Sequence, residues 1–148
     1  MTKEQLAKKL SVVCGKNVYS GELSDYAIRS IKESRSSYPV SNLIDYCKGM
    51  DVRMAITDMA TDEAYRVFEI MDVHNVIMML MERYGIDSQY IYRKTAVHYT
   101  APKNGRASLS INTLLAVCSS LHCRIDFLEN DESSVITSDD YGNEKRTS

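Results

Sequence analysis

"NGRASLSINTLLAVCSSLHCRID" occupies residues 104–126, and "YPVSNLIDYCKGMDVRMAI" occupies residues 38–56. Slid by 71 positions, residues 40–58 fall on residues 111–129. Eight apolar positions then coincide: Val40/Ile111, Leu43/Leu114, Ile44/Leu115, Cys47/Cys118, Met50/Leu121, Val52/Cys123, Met54/Ile125 and Ile56/Phe127. Arg53 also meets Arg124. The first five pairs are spaced i, i+3, i+4, i+7, i+10, which makes one stripe along a helix. The last three alternate with period two, as the faces of a strand do. Each stretch therefore predicts a helix that gives way to a short strand, with the switch near Met50 and Leu121.

The repeat extends upstream. At a slide of 64, "GELSDYAIR" (residues 21–29) falls on "GIDSQYIYR" (residues 85–93), and both read G-x-x-S-x-Y-x-x-R. Ser24 and Ser88 are the expected N-caps, because a serine oxygen satisfies the free amides of a first helical turn. The two slides differ by seven, so the second copy carries seven extra residues, around "HYTAPKNGRASLS". A leading helix is expected at about residues 3–13 in copy one, with Leu6, Leu10 and Val13 inward. Its counterpart is expected at about residues 73–84, with Val73, Val76, Ile77, Leu80 and Tyr84 on one face and Gly85 at its end. The β-formers at residues 65–70 and 134–137 predict a closing strand or hairpin in each copy. The organisation expected is one repeat over residues 1–71, a second over 72–137, and a polar, disordered tail over 138–148.

Hydrophobic residues make up 44% of the chain and charged residues 26%, the balance of a soluble globular protein. No apolar run approaches the roughly 18 residues of a membrane span, and the charged N-terminus lacks a signal-peptide core. A cytoplasmic location is the simplest expectation. Cys14, Cys47, Cys118 and Cys123 show no C-x-x-C or metal spacing, and Cys47 and Cys118 are expected to pack as small hydrophobes. No cofactor is implied.

The net charge of −2 conceals alternating blocks. Residues 1–37 carry seven Lys/Arg against four Asp/Glu, and residues 38–87 carry four against nine. Residues 88–124 carry five basic residues and no acidic one; residues 125–148 carry two against seven. A basic face is the footprint of a phosphate-binding surface. No nucleotide loop, zincin motif or nucleophile elbow is present. His74 is expected on the exposed side of its helix, and His122 aligns with Asp51. The chain is expected not to be an enzyme. Tyr26 and Tyr90 align and are expected to be half-buried, whereas Tyr99 falls in the basic loop.

The turn "YGIDSQ", the "TAV" after the next helix, "NGR" at residues 104–106 and "SINTLLAVCSSL" together resemble the lambda-repressor-like (Xre/Cro-type) helix-turn-helix family, over about residues 73–127. The fold implied is mainly α: two tandem lambda-repressor-like modules, each ending in a short β-strand or hairpin. The resemblance implies that Gln89 fixes a backbone contact and that the recognition helix covers residues 98–103. Pro102 makes that helix very short or begins it, since an interior proline costs roughly 3 kcal/mol. His98, Tyr99, Thr100 and Lys103 would then face bases or phosphates, and Asn104 and Arg106 would meet the DNA backbone. In copy one the corresponding element lies within residues 32–38, with Arg29, Lys32 and Arg35 as contacts beside Ser34, Ser36 and Ser37.

The expected function is therefore a sequence-specific, repressor-like regulator of transcription that binds double-stranded DNA. The two modules act as a built-in pseudo-dimer, or the chain forms a homodimer through its β-segments. The alternative is a protein–protein regulator, antitoxin-, antirepressor- or inhibitor-like, that keeps the fold without reading bases and pairs with a protein partner.

Overall fold

A computed structural model of the chain describes residues 1–102 and 108–129. Thr2 opens the first helix, α1 (Lys3–Cys14). Its hydroxyl accepts from Gln5 N at 3.1 Å, and the Gln5 side chain accepts from Thr2 N at 2.8 Å, a reciprocal cap that satisfies two free amides. Ser24 caps α2 (Asp25–Glu33) through Ala27 N, as expected. Then follow α3 (Val40–Gly49), β1 (Val52–Asp58) and β2 (Glu63–Val67). The second half contains α4 (Ile70–Tyr84), α5 (Ser88–Thr95), α6 (Ile111–Leu121) and β3 (Cys123–Glu129). The described residues thus form six helices and one antiparallel sheet of order β2-β1-β3.

The two halves face each other about a pseudo-two-fold axis. β1 and β3 begin and end 71 residues apart and pair antiparallel, with Ala55 opposite Asp126, Met54 opposite Phe127 and Ile56 opposite Ile125. Exchanging each residue for its equivalent 71 positions away leaves these pairings unchanged. The same holds at a second point, where Pro39 bridges Ser110. There Val40 N donates to Leu109 O and Ile111 N donates to Tyr38 O, both at 2.8 Å. Within the chain β1 is held between β2 and β3, which form the two edges of the sheet.

All eight aligned pairs enter one core cluster that spans both halves; Leu115 alone among the sixteen residues is only partly buried. Cys47 and Cys118 are buried in it, as expected. The division expected between residues 71 and 72 falls inside the first turn of α4. The helix-to-strand switch is also repeated. Asp51 and His122, which align, both adopt left-handed backbone, at φ 59° and 54°. Aspartate and histidine are enriched in that region among non-glycine residues, so the shared polarity at this position reflects a turn rather than a ligand.

Several local expectations are corrected. The strand expected at residues 65–70 is Glu63–Val67, because Ile70 already belongs to α4; Asp72 caps that helix by accepting from Phe68 N and Glu69 N. Asp87 rather than Ser88 caps α5, accepting from Tyr90 N at 2.8 Å. His74 is buried, not exposed, and Tyr26 is 66% exposed rather than half-buried. The strand expected at residues 134–137 and the tail at 138–148 lie outside the described residues. No helix among the described residues is long and apolar enough to cross a membrane.

Candidate nucleic-acid interface

The end of α4 is fastened to the sheet by Asp58, the last residue of β1. Its carboxylate is fully buried and accepts from Arg83 Nη1 at 2.8 Å, from Ala60 N at 2.9 Å and from the Tyr84 hydroxyl. Burial alone would raise the pKa of this group, but the bonds from Tyr84, Ala60 N and Arg83 outweigh it and hold the carboxyl below the usual carboxylate range. Immediately after this anchor residues 85–87 join α4 to α5. Gly85 takes left-handed backbone at φ 63°, and Ile86 N donates to Met81 O at 2.9 Å. Asp87 then starts α5. Two helices joined by a three-residue turn that begins with glycine result.

Of the eight residues of α5, only Ile91 is buried. Gln89, Tyr90, Tyr92, Arg93 and Lys94 are exposed, and the helix contains no acidic residue. Lys94 Nζ lies 5.9 Å from the centre of the Tyr90 ring, and the Tyr92 ring stacks on His98 at 4.2 Å. The outer face of α5 is thus basic with interleaved aromatic rings.

The recognition helix expected at residues 98–103 is not formed where the chain is described: residues 97–102 contain no helix. Ala96 ends α5 in left-handed backbone at φ 61°. Pro102 disfavours helical backbone at the residue before it and has no N–H to give. Tyr99 is 3% exposed, its ring stacks against His74, and its hydroxyl lies 2.7 Å from His74 Nδ1. Burial pushes its phenol up to about 12, so it stays neutral, and the little surface it keeps lines the cleft at the pseudo-axis.

His98 and Thr100 are exposed and line a cleft of about 550 Å³ at the pseudo-axis. Tyr99 lines it as well, together with residues 37–39 from the first half and residues 108–110 and Thr113 from the second. Lys103, Asn104 and Arg106 lie outside the described residues. The copy-one set is exposed. Arg29 projects from α2, and Lys32 instead lines a pocket with Leu10, Cys14, Asn17 and Met50. Arg35 pairs with Glu33 at 2.7 Å. No helix spans residues 34–39.

The residues that sequence reasoning passed over are Tyr90, Tyr92, Arg93 and Lys94. The G-x-x-S-x-Y-x-x-R match had already picked out the equivalent pairs Tyr26/Tyr90 and Arg29/Arg93; what it lacked was the exposure of the whole helix. No protein-family model, curated protein or solved structure matches the chain.

Proposed function

We propose that the protein is a helix-turn-helix regulator that binds double-stranded DNA, with α5 as the helix that enters the major groove. The observation that carries this reading is an exposed, acid-free second helix, fixed by one buried isoleucine behind a three-residue turn. Such a helix follows the turn in helix-turn-helix proteins and presents its first residues to base edges. Gln89 is in the first turn, and a glutamine amide can pair with both N6 and N7 of adenine. Arg93 and Lys94, about one turn beyond Gln89 along α5, supply phosphate contacts that position the helix. No carboxylate occurs over residues 88–124, so the one acid at α5 is its N-cap, Asp87.

The test is a fluorescence-anisotropy titration of duplex DNA, with salt varied upward from about 50 mM, where phosphate-driven binding is strong. Replacing Arg93 and Lys94 together by alanine should weaken binding and lower the salt slope by about 2, near 1 for each phosphate no longer neutralised. Circular dichroism should be unchanged, since both side chains are exposed. A wild-type chain that does not bind at low salt sinks the proposal. A protein partner is the second reading, favoured by Val12 and Val18, which stand 75% and 85% exposed at the start of the first half; it predicts a partner complex with no DNA shift.

A further inference from the structure

We infer that a single chain reads a non-palindromic duplex as a monomer, with α5 on one half-site and α2 on an unlike second half-site. The inference rests on the DNA-binding reading above. Its geometric ground is the pseudo-two-fold axis. The bridge at Pro39 and Ser110 and the strand pairing centred on Ala55 and Asp126 relate the helix-to-strand unit of the first half to that of the second, and the shared G-x-x-S-x-Y-x-x-R places α2 and α5 at matching points ahead of those units. In two-fold DNA-binding dimers a second subunit supplies the second helix. Here the chain supplies both, because β1 and β3, the strands that relate its two halves, pair with each other inside one chain.

Residues 15–24 replace the short turn ahead of α2 and are themselves anchored. Asn17 Nδ2 donates to Met50 O at 2.7 Å, and Ser20 N donates to Gly49 O at 2.9 Å. The Tyr19 ring stacks on Tyr46 at 5.5 Å, and its hydroxyl accepts from Leu23 N at 3.0 Å. A Cβ on Gly49 would collide with the Tyr19 ring, so the loop and the end of α3 fit only without a side chain there.

The two helices keep common contacts and differ around them. Tyr26 and Arg29 on α2 match Tyr90 and Arg93 on α5, and all four are exposed or partly exposed. Asp25 stands where α5 has Gln89, and α2 adds Glu33, whereas α5 has no acidic residue. A shared tyrosine–arginine pair gives each half-site a common phosphate grip. Unlike neighbours give the halves different base preferences, and the two acids make α2 the weaker side.

The experiment is selection from a pool of duplexes carrying roughly 20 random base pairs, two half-sites of one helical turn each. Native mass spectrometry of the selected complex follows. Selected sequences should lack dyad symmetry, and each duplex should carry one chain. Gln89→Ala should relax the preference in one half, whereas Arg93→Ala should weaken binding about uniformly across sequences. Asp25→Ala should alter the preference in the other half, and Arg29→Ala should weaken binding by a smaller factor than Arg93→Ala. A palindromic consensus bound by two chains overturns the inference and leaves α5 as a reader. A single short conserved half, indifferent to Arg29→Ala, overturns it equally. No enrichment, with no binding at low salt, overturns the DNA-binding reading together with the inference.

Discussion

His122 shows how a residue that looks chemical can be conformational. It holds φ 54° between α6 and β3, and its carbonyl accepts from Met59 N. An L-residue in left-handed backbone gives up roughly 1–2 kcal/mol that glycine does not. His122→Gly should therefore raise stability by up to about 1 kcal/mol, offset in part by the greater freedom of glycine when unfolded. His122→Val should lower it, and urea denaturation measures both. Asp58 works the other way. Asp58→Asn leaves Arg83 and Tyr84 without their carboxylate partner and should cost about 1–3 kcal/mol at neutral pH. Because the carboxyl is held below its ordinary value near 3.9, its contribution is complete above that value and is lost as pH falls through the depressed folded value. The wild-type advantage over Asp58→Asn should thus narrow below about pH 4, and denaturation at pH 7 and pH 3 would reveal a constant gap if the assignment were wrong.

At the scale of elements, α4, the turn and α5 form a unit positioned from both ends. Asp58 holds the end of α4, and Ile91 seats α5 in the core. Between them Gly85 adopts φ 63°, with nothing within 4 Å of where a Cβ would project. The cost of Gly85→Ala is then purely conformational, about 1–2 kcal/mol. Thermal denaturation should show that loss. DNA affinity measured well below the melting temperature should fall little, because the alanine has room; a large loss of affinity would mean that the turn itself touches the ligand. The repeated helix-to-strand unit was legible in the sequence because its apolar period changes from helical to alternating within a few residues. The lack of a helix at residues 98–102 was not. Residues 98–102 carry polar and aromatic side chains that fit either an exposed helix or an extended segment, and only the burial of Tyr99 against His74 decides for the latter.

For the whole molecule, the shared core has a thermodynamic consequence. The strands of the two halves pair with each other, and Val40 N and Ile111 N find their acceptors in the opposite half. Neither half can open without exposing the apolar stripe of the other. Unfolding should therefore be a single cooperative transition in calorimetry, with equal calorimetric and van't Hoff enthalpies. Two resolved transitions would show that the repeats are independent domains. Lys9 adds a further tie: its Nζ pairs with Asp126 at 2.6 Å and donates to Ile125 O at 2.7 Å. A charged side chain placed on strand β3 in this way also guards against unwanted pairing.

The sequence by itself determined the repeat, its helix-to-strand switch and the apolar stripes that are buried, because hydrophobic period and spacing are local properties of a chain. It also marked residues 88–124 as free of acidic side chains. Only the tertiary structure decided how the two units meet, since the antiparallel register about Ala55 and Asp126 depends on contacts between residues 71 positions apart. It likewise decided which tyrosines face solvent. Tyr90 and Tyr92 lie on a helix with one buried side, whereas Tyr99 is drawn inward by a hydroxyl that needs a partner and finds His74.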